Sequence, residues 1–120
     1  MAEAYVALGA QPTYTCAPYL LDSAPSFGEH VAWGESNAVA FANSVLGART
    51  QKYADFQDAC MAITGRAPKA GCHLDSGRAA EVVLEVAPLP ATPPGEDDDR
   101  DAYWSLLGYA TGLVAGRRIP

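Results

Sequence analysis

Phe-Gly-Glu-His-Val-Ala-Trp-Gly-Glu-Ser-Asn-Ala (27–38) runs almost directly into Phe-Ala-Asn-Ser-Val-Leu-Gly-Ala-Arg-Thr (41–50), and the pair is the most telling part of the chain. A short strand candidate at 28–33 gives way to a helix expected from about Glu35 to Leu46. Ser36 or the residue before it sits near the cap, and Gly47 acts as the stop. At about 100° per residue, Ser36 and Asn43 lie nearly on one line and Asn37 and Ser44 on the next, which makes a narrow polar strip. Ala38, Val39, Phe41, Ala42, Val45 and Leu46 make the rest of that surface apolar, as in a helix buried on most sides. Buried amides and hydroxyls need hydrogen-bond partners. Backbone carbonyls, a buried water or a bound ligand would each satisfy the strip.

Working outward, residues 13–16 read as a short strand rich in Thr and Tyr, ended by Pro18. A second helix is expected from about Tyr53 to Thr64, because Phe56, Ala59, Cys60 and Ile63 fall at helical spacing and Gly65 closes it. Residues 72–74 and 82–86 read as further strands, and a last helix starts near Asp101. Alternation of strands and helices predicts an α/β layered fold. In the last helix Tyr103, Leu106, Leu107, Ala110, Leu113 and Val114 form a stripe. Gly108, Gly112 and Gly116 recur on a neighbouring face, which suggests close approach of another backbone. Between 88 and 100, prolines and the acidic run Glu96–Asp99 read as a solvated linker; the run lacks the acid spacing of a calcium loop.

Several short motifs follow one another in order: Thr-Cys-Ala-Pro-Tyr (15–19), the two segments above, Thr-Gly-Arg-Ala-Pro (64–68) and Gly-Cys-His-Leu-Asp (71–75). Together they resemble the aconitase X family, over nearly the whole chain. The resemblance implies an iron-dependent hydro-lyase that eliminates water from a small hydroxy acid, with cis-3-hydroxy-L-proline or 5-phosphomevalonate as substrate. Asp-Ala-Cys-Met-Ala-Ile-Thr-Gly-Arg-Ala-Pro (58–68) is closer to the hydroxyproline branch. It also implies that Cys16 is one ligand of an iron or iron–sulfur centre whose other ligands fall beyond Pro120. The proton-abstracting base then belongs to a small, swivelling domain or subunit that this chain lacks.

The family's catalytic polypeptide is much longer than the 120 residues here. Residues 1–120 therefore read as a single, partial catalytic domain, opening on what resembles the end of a helix, and as inactive alone. A truncated, non-catalytic α/β module is the rival reading.

Candidate site residues are Ser36, Asn37, Asn43, Ser44, Arg49 and His73 for substrate, and Cys16 for metal. The resemblance turns the polar strip into an active-site wall. Arg49 suits a carboxylate bidentately, although a salt bridge to Glu35, Asp55 or Asp58 explains it equally. His73 could line the pocket or pair with Asp75 in a turn, and His30 carries no assignment. Cys60 reads as a small core residue and Cys72 as incidental beside His73, with zinc on Cys60, Cys72 and His73 as a weaker alternative.

A net charge of −6 with 8 basic residues argues against nucleic acid or an anionic membrane as partner. No apolar run has spanning length and no secretory signal is visible. Three cysteines without Cys-x-x-Cys pairing argue against a disulfide framework. A soluble, cytoplasmic protein is expected.

Overall fold

A computed structural model describes residues 1–88 and 100–115, with the side chain of Arg100 left aside. The chain divides into a unit spanning Met1–Gly77 and a second one that begins at Arg78. In the first unit, helix α1 (Ala2–Ala7) leads to a 3₁₀ turn at Pro18–Leu20. Helix α2 (Ser36–Phe41) then continues as a π-helical turn, Ala42–Leu46. Helix α3 (Asp55–Thr64) follows, and 3₁₀ turns at Gly71–His73 and Asp75–Arg78 close the segment.

Local chemistry sets these boundaries. Glu35 is the residue before α2, and its carboxylate accepts from the Ser36 N–H at 3.1 Å, satisfying one of the amides that the first helical turn leaves open. At the other end Gly47 takes φ +68°, a left-handed conformation that costs glycine nothing, so the predicted stop is where the helix ends. The Gly47 N–H closes on the Ala42 carbonyl five residues back, the spacing of a π turn, and the Ala48 N–H reaches the same carbonyl. Tyr19 stacks on Phe41 with ring centres 4.1 Å apart, and this pins the Pro18–Leu20 turn against α2. Ala38, Ala42, Ala48, Thr50 and Tyr53 form the centre of the small core, with Met61, Cys72 and His73 around them.

The α/β layering expected from the sequence is not built by the described residues. Their only β feature is an isolated parallel bridge between His30 and Arg49. Within the expected strand at 28–33, Gly28 donates to Gly47, Val31 to Arg49, and Arg49 returns a bond to Glu29, so a short ladder forms and then stops. Residues 13–16 form no strand. Tyr14 has φ +46°, which turns the chain out of the extended region, and Pro12 and Pro18 flank it. Residues 72–74 wind instead into the Gly71–His73 turn, because Gly71 at φ +52° bends the chain in and Gly77 donates back to Leu74. Residues 82–86 have no ladder partner among the described residues, and Val83 and Val86 are exposed.

Helix α3 begins at Asp55 rather than Tyr53; Tyr53 precedes it and is buried. Its expected core stripe is also different. Phe56 and Ile63 are exposed, Cys60 is an exposed thiol rather than a core residue, and Met61 is the side chain that α3 buries.

In the second unit, α4 (Arg100–Ala115) is the helix expected near Asp101. Tyr103 and Trp104 meet edge to face at 5.2 Å, and Leu106, Leu113 and Val114 of the predicted stripe are exposed. A Cβ added at Gly108 or Gly112 would meet nothing within 4 Å, so no described residue of this unit packs closely on that face. Gly116, the acidic run and most of the expected linker lie outside the described residues. No helix among the described residues is long and apolar enough to cross a membrane.

Candidate functional site

The polar residues singled out in the sequence separate into two groups. At the start of α2, Ser36 and Asn37 are exposed on the same rim as Cys16. Asn37 reaches back to this cysteine: its side-chain amide donates to the Cys16 carbonyl at 3.1 Å and to the Tyr19 hydroxyl at 3.4 Å. One side chain of the strip therefore fixes the backbone that carries the candidate metal ligand. Cys16 is an exposed free thiol. Ser44, one turn or more further on, is exposed as well.

Asn43 is used differently. Its amide donates to the carbonyls of Val39 at 3.0 Å and Thr50 at 2.8 Å, while its carbonyl oxygen accepts from the Thr50 N–H at 3.2 Å. Thr50 is fully buried, so these bonds satisfy backbone groups that have no access to water. Backbone carbonyls, one of the partners considered for the strip, are what Asn43 meets.

Arg49 joins that second group. The His30–Arg49 bridge positions its backbone, and its guanidinium donates to the His73 carbonyl at 3.1 Å and to an Asp75 carboxylate oxygen at 2.5 Å. The ion pair is thus with Asp75, not with Glu35, Asp55 or Asp58. Those three acids lie elsewhere: Glu35 caps α2, while Asp55 and Asp58 approach Gly34, where a Cβ would meet both carboxylates. With Asp75 on Arg49, the expected His73–Asp75 pair is replaced by a pair of histidines. The Nδ1 atoms of His30 and His73 lie 2.9 Å apart, with ring planes inclined by 9°.

An Nδ1 to Nδ1 contact holds only when one nitrogen carries the hydrogen and the other offers its lone pair. Two neutral rings, or one neutral ring and one imidazolium, satisfy it; two imidazoliums do not. Burial, the neighbouring His30 and the Arg49 guanidinium hold the His73 pKa below its ordinary value, in that order of weight. Tyr53 also stacks on His73 at 5.8 Å, and the buried His73 Nε2 has no hydrogen-bond partner among the described residues. Sequence reasoning left out His30, Thr50 and Tyr53. His30 follows the Phe-Gly-Glu turn and faces residues 43 positions away, a separation that no local pattern reveals.

Among the described residues, no group of three or more His, Cys, Asp or Glu side chains is arranged to hold a metal ion. The zinc alternative therefore finds no site there, with Cys72 buried and Cys60 exposed. For iron, Cys16 has the right chemistry, since thiolates are the usual iron–sulfur ligands. It fits as one ligand, and the described residues do not furnish the rest.

Residues 1–76 match the model of the aconitase X first domain, and the chain belongs to the aconitase X family. It is 58% identical over 120 residues to a cis-3-hydroxy-L-proline dehydratase of Pseudomonas aeruginosa, covering 100% of this chain and 20% of that protein. It is 41% identical over 118 residues to the phosphomevalonate dehydratase large subunit of Thermococcus kodakarensis, covering 98% of this chain and 28% of the relative. The crystal structure of Thermococcus kodakaraensis aconitase X in its holo-form superposes with a TM-score of 0.62 at 47% identity, over 65% of this chain and 20% of that one. The fold is accordingly that of aconitase X, and the chain spans between a fifth and somewhat over a quarter of these curated relatives.

Proposed function

We propose that this chain is part of an iron-dependent hydro-lyase that eliminates water from a small hydroxy acid, cis-3-hydroxy-L-proline being the favoured substrate. The observation that carries this reading is the exposed rim on which Asn37 holds the backbone of Cys16 beside Ser36. The 58% identity to a cis-3-hydroxy-L-proline dehydratase, against 41% to a phosphomevalonate dehydratase large subunit, supports the choice of substrate. The phosphomevalonate branch is the alternative, and a truncated, non-catalytic module is a second.

In this proposal Cys16 would be one iron ligand, and iron held there would supply Lewis-acid chemistry to the substrate hydroxyl, which is otherwise a poor leaving group. Ser36, Asn37 and Ser44 offer exposed hydrogen-bonding groups to the substrate. Asn43 acts by holding the end of α2 to Thr50, and Arg49 by holding the His73 segment, so both position the wall rather than touch the ligand. His73 forms part of the same wall. The remaining iron ligands and the base that takes the proton from the neighbouring carbon lie on segments beyond this chain, the base on a small swivelling domain or subunit.

The proposal also covers architecture and location. Residues 1–120 form one partial catalytic domain, with the linker at 88–100 leading to α4. The parallel His30–Arg49 bridge is the seed of an α/β layer that those further segments complete. Three free thiols suit a reducing compartment, the cytoplasm.

The test is reconstitution of the complete polypeptide with iron under anaerobic conditions, followed by assay on cis-3-hydroxy-L-proline and 5-phosphomevalonate. Product from the first alone is expected; product from neither removes the dehydratase reading. Cys16→Ser should lower bound iron as well as turnover. Full iron content in that variant would remove Cys16 from the metal site.

A further inference from the structure

A cleft of about 410 Å³ opens beside the histidine pair. It is lined by His30, Arg66, Lys69, His73 and Leu74 together with the Gly65, Ala67 and Pro68 backbone turn. No carboxylate lines it, although the chain as a whole carries a net charge of −6. Sequence and fold explain the arrangement. Gly65 ends α3 in the left-handed conformation at φ +61°, and the chain leaving it brings Arg66 and Lys69 into the lining. The Gly71–His73 turn brings in His73, which meets His30.

We propose that this cleft is a binding site for a small oxyanion, a carboxylate or a phosphate group. Its cationic groups are unengaged among the described residues. Arg66 and Lys69 make no ion pair or hydrogen bond among the described residues, unlike Arg49, which is held by Asp75 and the His73 carbonyl. Two unpaired cations and two imidazoles on the same concave surface focus a positive potential in an otherwise acidic chain. Arginine supplies a planar fork for two anion oxygens, and lysine a point charge beside it.

The histidines add a second property. The Arg49 guanidinium, engaged by Asp75, reaches the His73 carbonyl, and Arg66 and Lys69 share the cleft lining with both histidines. A proton on His73 is disfavoured by burial and then by His30 and Arg49. An anion in the cleft adds negative charge beside that ring, so binding favours its protonation and strengthens as pH falls. The Nδ1 contact survives the uptake of one proton, because one neutral ring still accepts from one imidazolium.

Binding here does not depend on the dehydratase reading. A chain without turnover could bind anions in the cleft, and an active enzyme could leave the cleft empty. The experiment is a titration of the full chain with inorganic phosphate and, separately, acetate. The ring resonances of His30 and His73 are followed by ¹H–¹³C correlation spectra at pH 6 and pH 8, with chloride at matched ionic strength as the comparison. Saturable shifts of both rings, tighter at pH 6, are expected. Arg66→Ala and Lys69→Ala should each weaken binding about tenfold, the factor that about 1.4 kcal/mol represents. Both side chains are exposed and make no bond among the described residues, so these variants should fold as the parent does. Tighter binding of phosphate than acetate would assign the site to a phosphate group, and the reverse order to a carboxylate. Shifts that chloride reproduces, that never saturate, or that persist unchanged in both variants would overturn the proposal.

Discussion

Asn37 and Asn43 stand on the same short helical segment, six residues apart in sequence, yet they live by different rules. Asn37 is exposed and its two bonds, to the Cys16 carbonyl and the Tyr19 hydroxyl, can be exchanged for water at little cost. Asn43 is half-buried and ties the Val39 carbonyl and both backbone groups of Thr50, a fully buried residue. The difference teaches which polar groups are available to a ligand. Around the π turn they are committed to the chain itself, whereas at the start of α2 they are open to whatever binds.

Substitution of the two asparagines is the strongest way to break that contrast. Asn43→Ala should cost about 2–3 kcal/mol of unfolding free energy, because it strands buried backbone groups of Thr50 with no replacement partner. Asn37→Ala should stay within about 0.5 kcal/mol, as surface changes usually do. Denaturant midpoints of the two variants, compared with the parent, decide it. Equal losses would mean that the buried and exposed ends of α2 are not distinct.

Gly47→Ala tests the end of the same π turn and should have the next largest effect. At φ +68° an alanine is strained by about 1–2 kcal/mol, the left-handed penalty for an L residue. An added Cβ would also press on the Phe27 ring, with Cε2 at 2.7 Å, but Phe27 is 87% exposed and can swing aside. The backbone term should therefore dominate. Restoring stability with Phe27→Ala in the Gly47→Ala background would show the opposite.

The pH dependence of stability should be smaller and should come from His73. Its pKa in the folded chain is lowered from 6.5, chiefly by burial and then by His30 and Arg49, so the unfolded state binds a proton first as pH falls. The contribution is intact above about pH 6.5 and is lost as pH drops below that value towards the folded pKa. His73→Gln should flatten the midpoint-versus-pH curve in this window. An unchanged slope in the variant would assign the acid sensitivity to another group.

How much of this was legible beforehand depends on whether the cause was local. Helix α2, its Gly47 stop and the start of α4 follow from neighbouring residues and were read correctly. The family followed from short motifs whose order survives without any structure. The strands differ from the expectation because β structure requires a partner: 28–33 makes one bridge, 72–74 is captured by the turn glycines on either side, and 82–86 has none among the described residues. Cys60 was misread because helical spacing shows that Phe56, Cys60 and Ile63 share a face, but not that this face is exposed in this chain. The histidine pair and the Arg49–Asp75 ion pair were hidden for a related reason, since both are made between segments far apart in sequence.

Asp58 provides the smallest and sharpest test of the same distinction, because it is a polar group that is half-buried without being committed. One of its carboxylate oxygens has no hydrogen-bond partner, and burial followed by repulsion from Asp55 raises its pKa above 3.8, against a weaker pull from Lys52. The folded state therefore favours the protonated acid. Its stabilising share is complete below the unfolded pKa and disappears as pH rises through the folded one, so at neutral pH the ionised carboxylate is a net burden. Asp58→Asn keeps the shape and removes the charge, and it should raise the thermal midpoint at pH 7 while changing little at pH 3. Exposed Asp75, held by Arg49, should do the reverse: Asp75→Asn should lower the midpoint slightly at pH 7, since it breaks an ion pair of which one member is 90% exposed. Opposite signs at pH 7 for two acids of the same unit would follow only if commitment to a partner, not burial alone, decides what each polar group contributes.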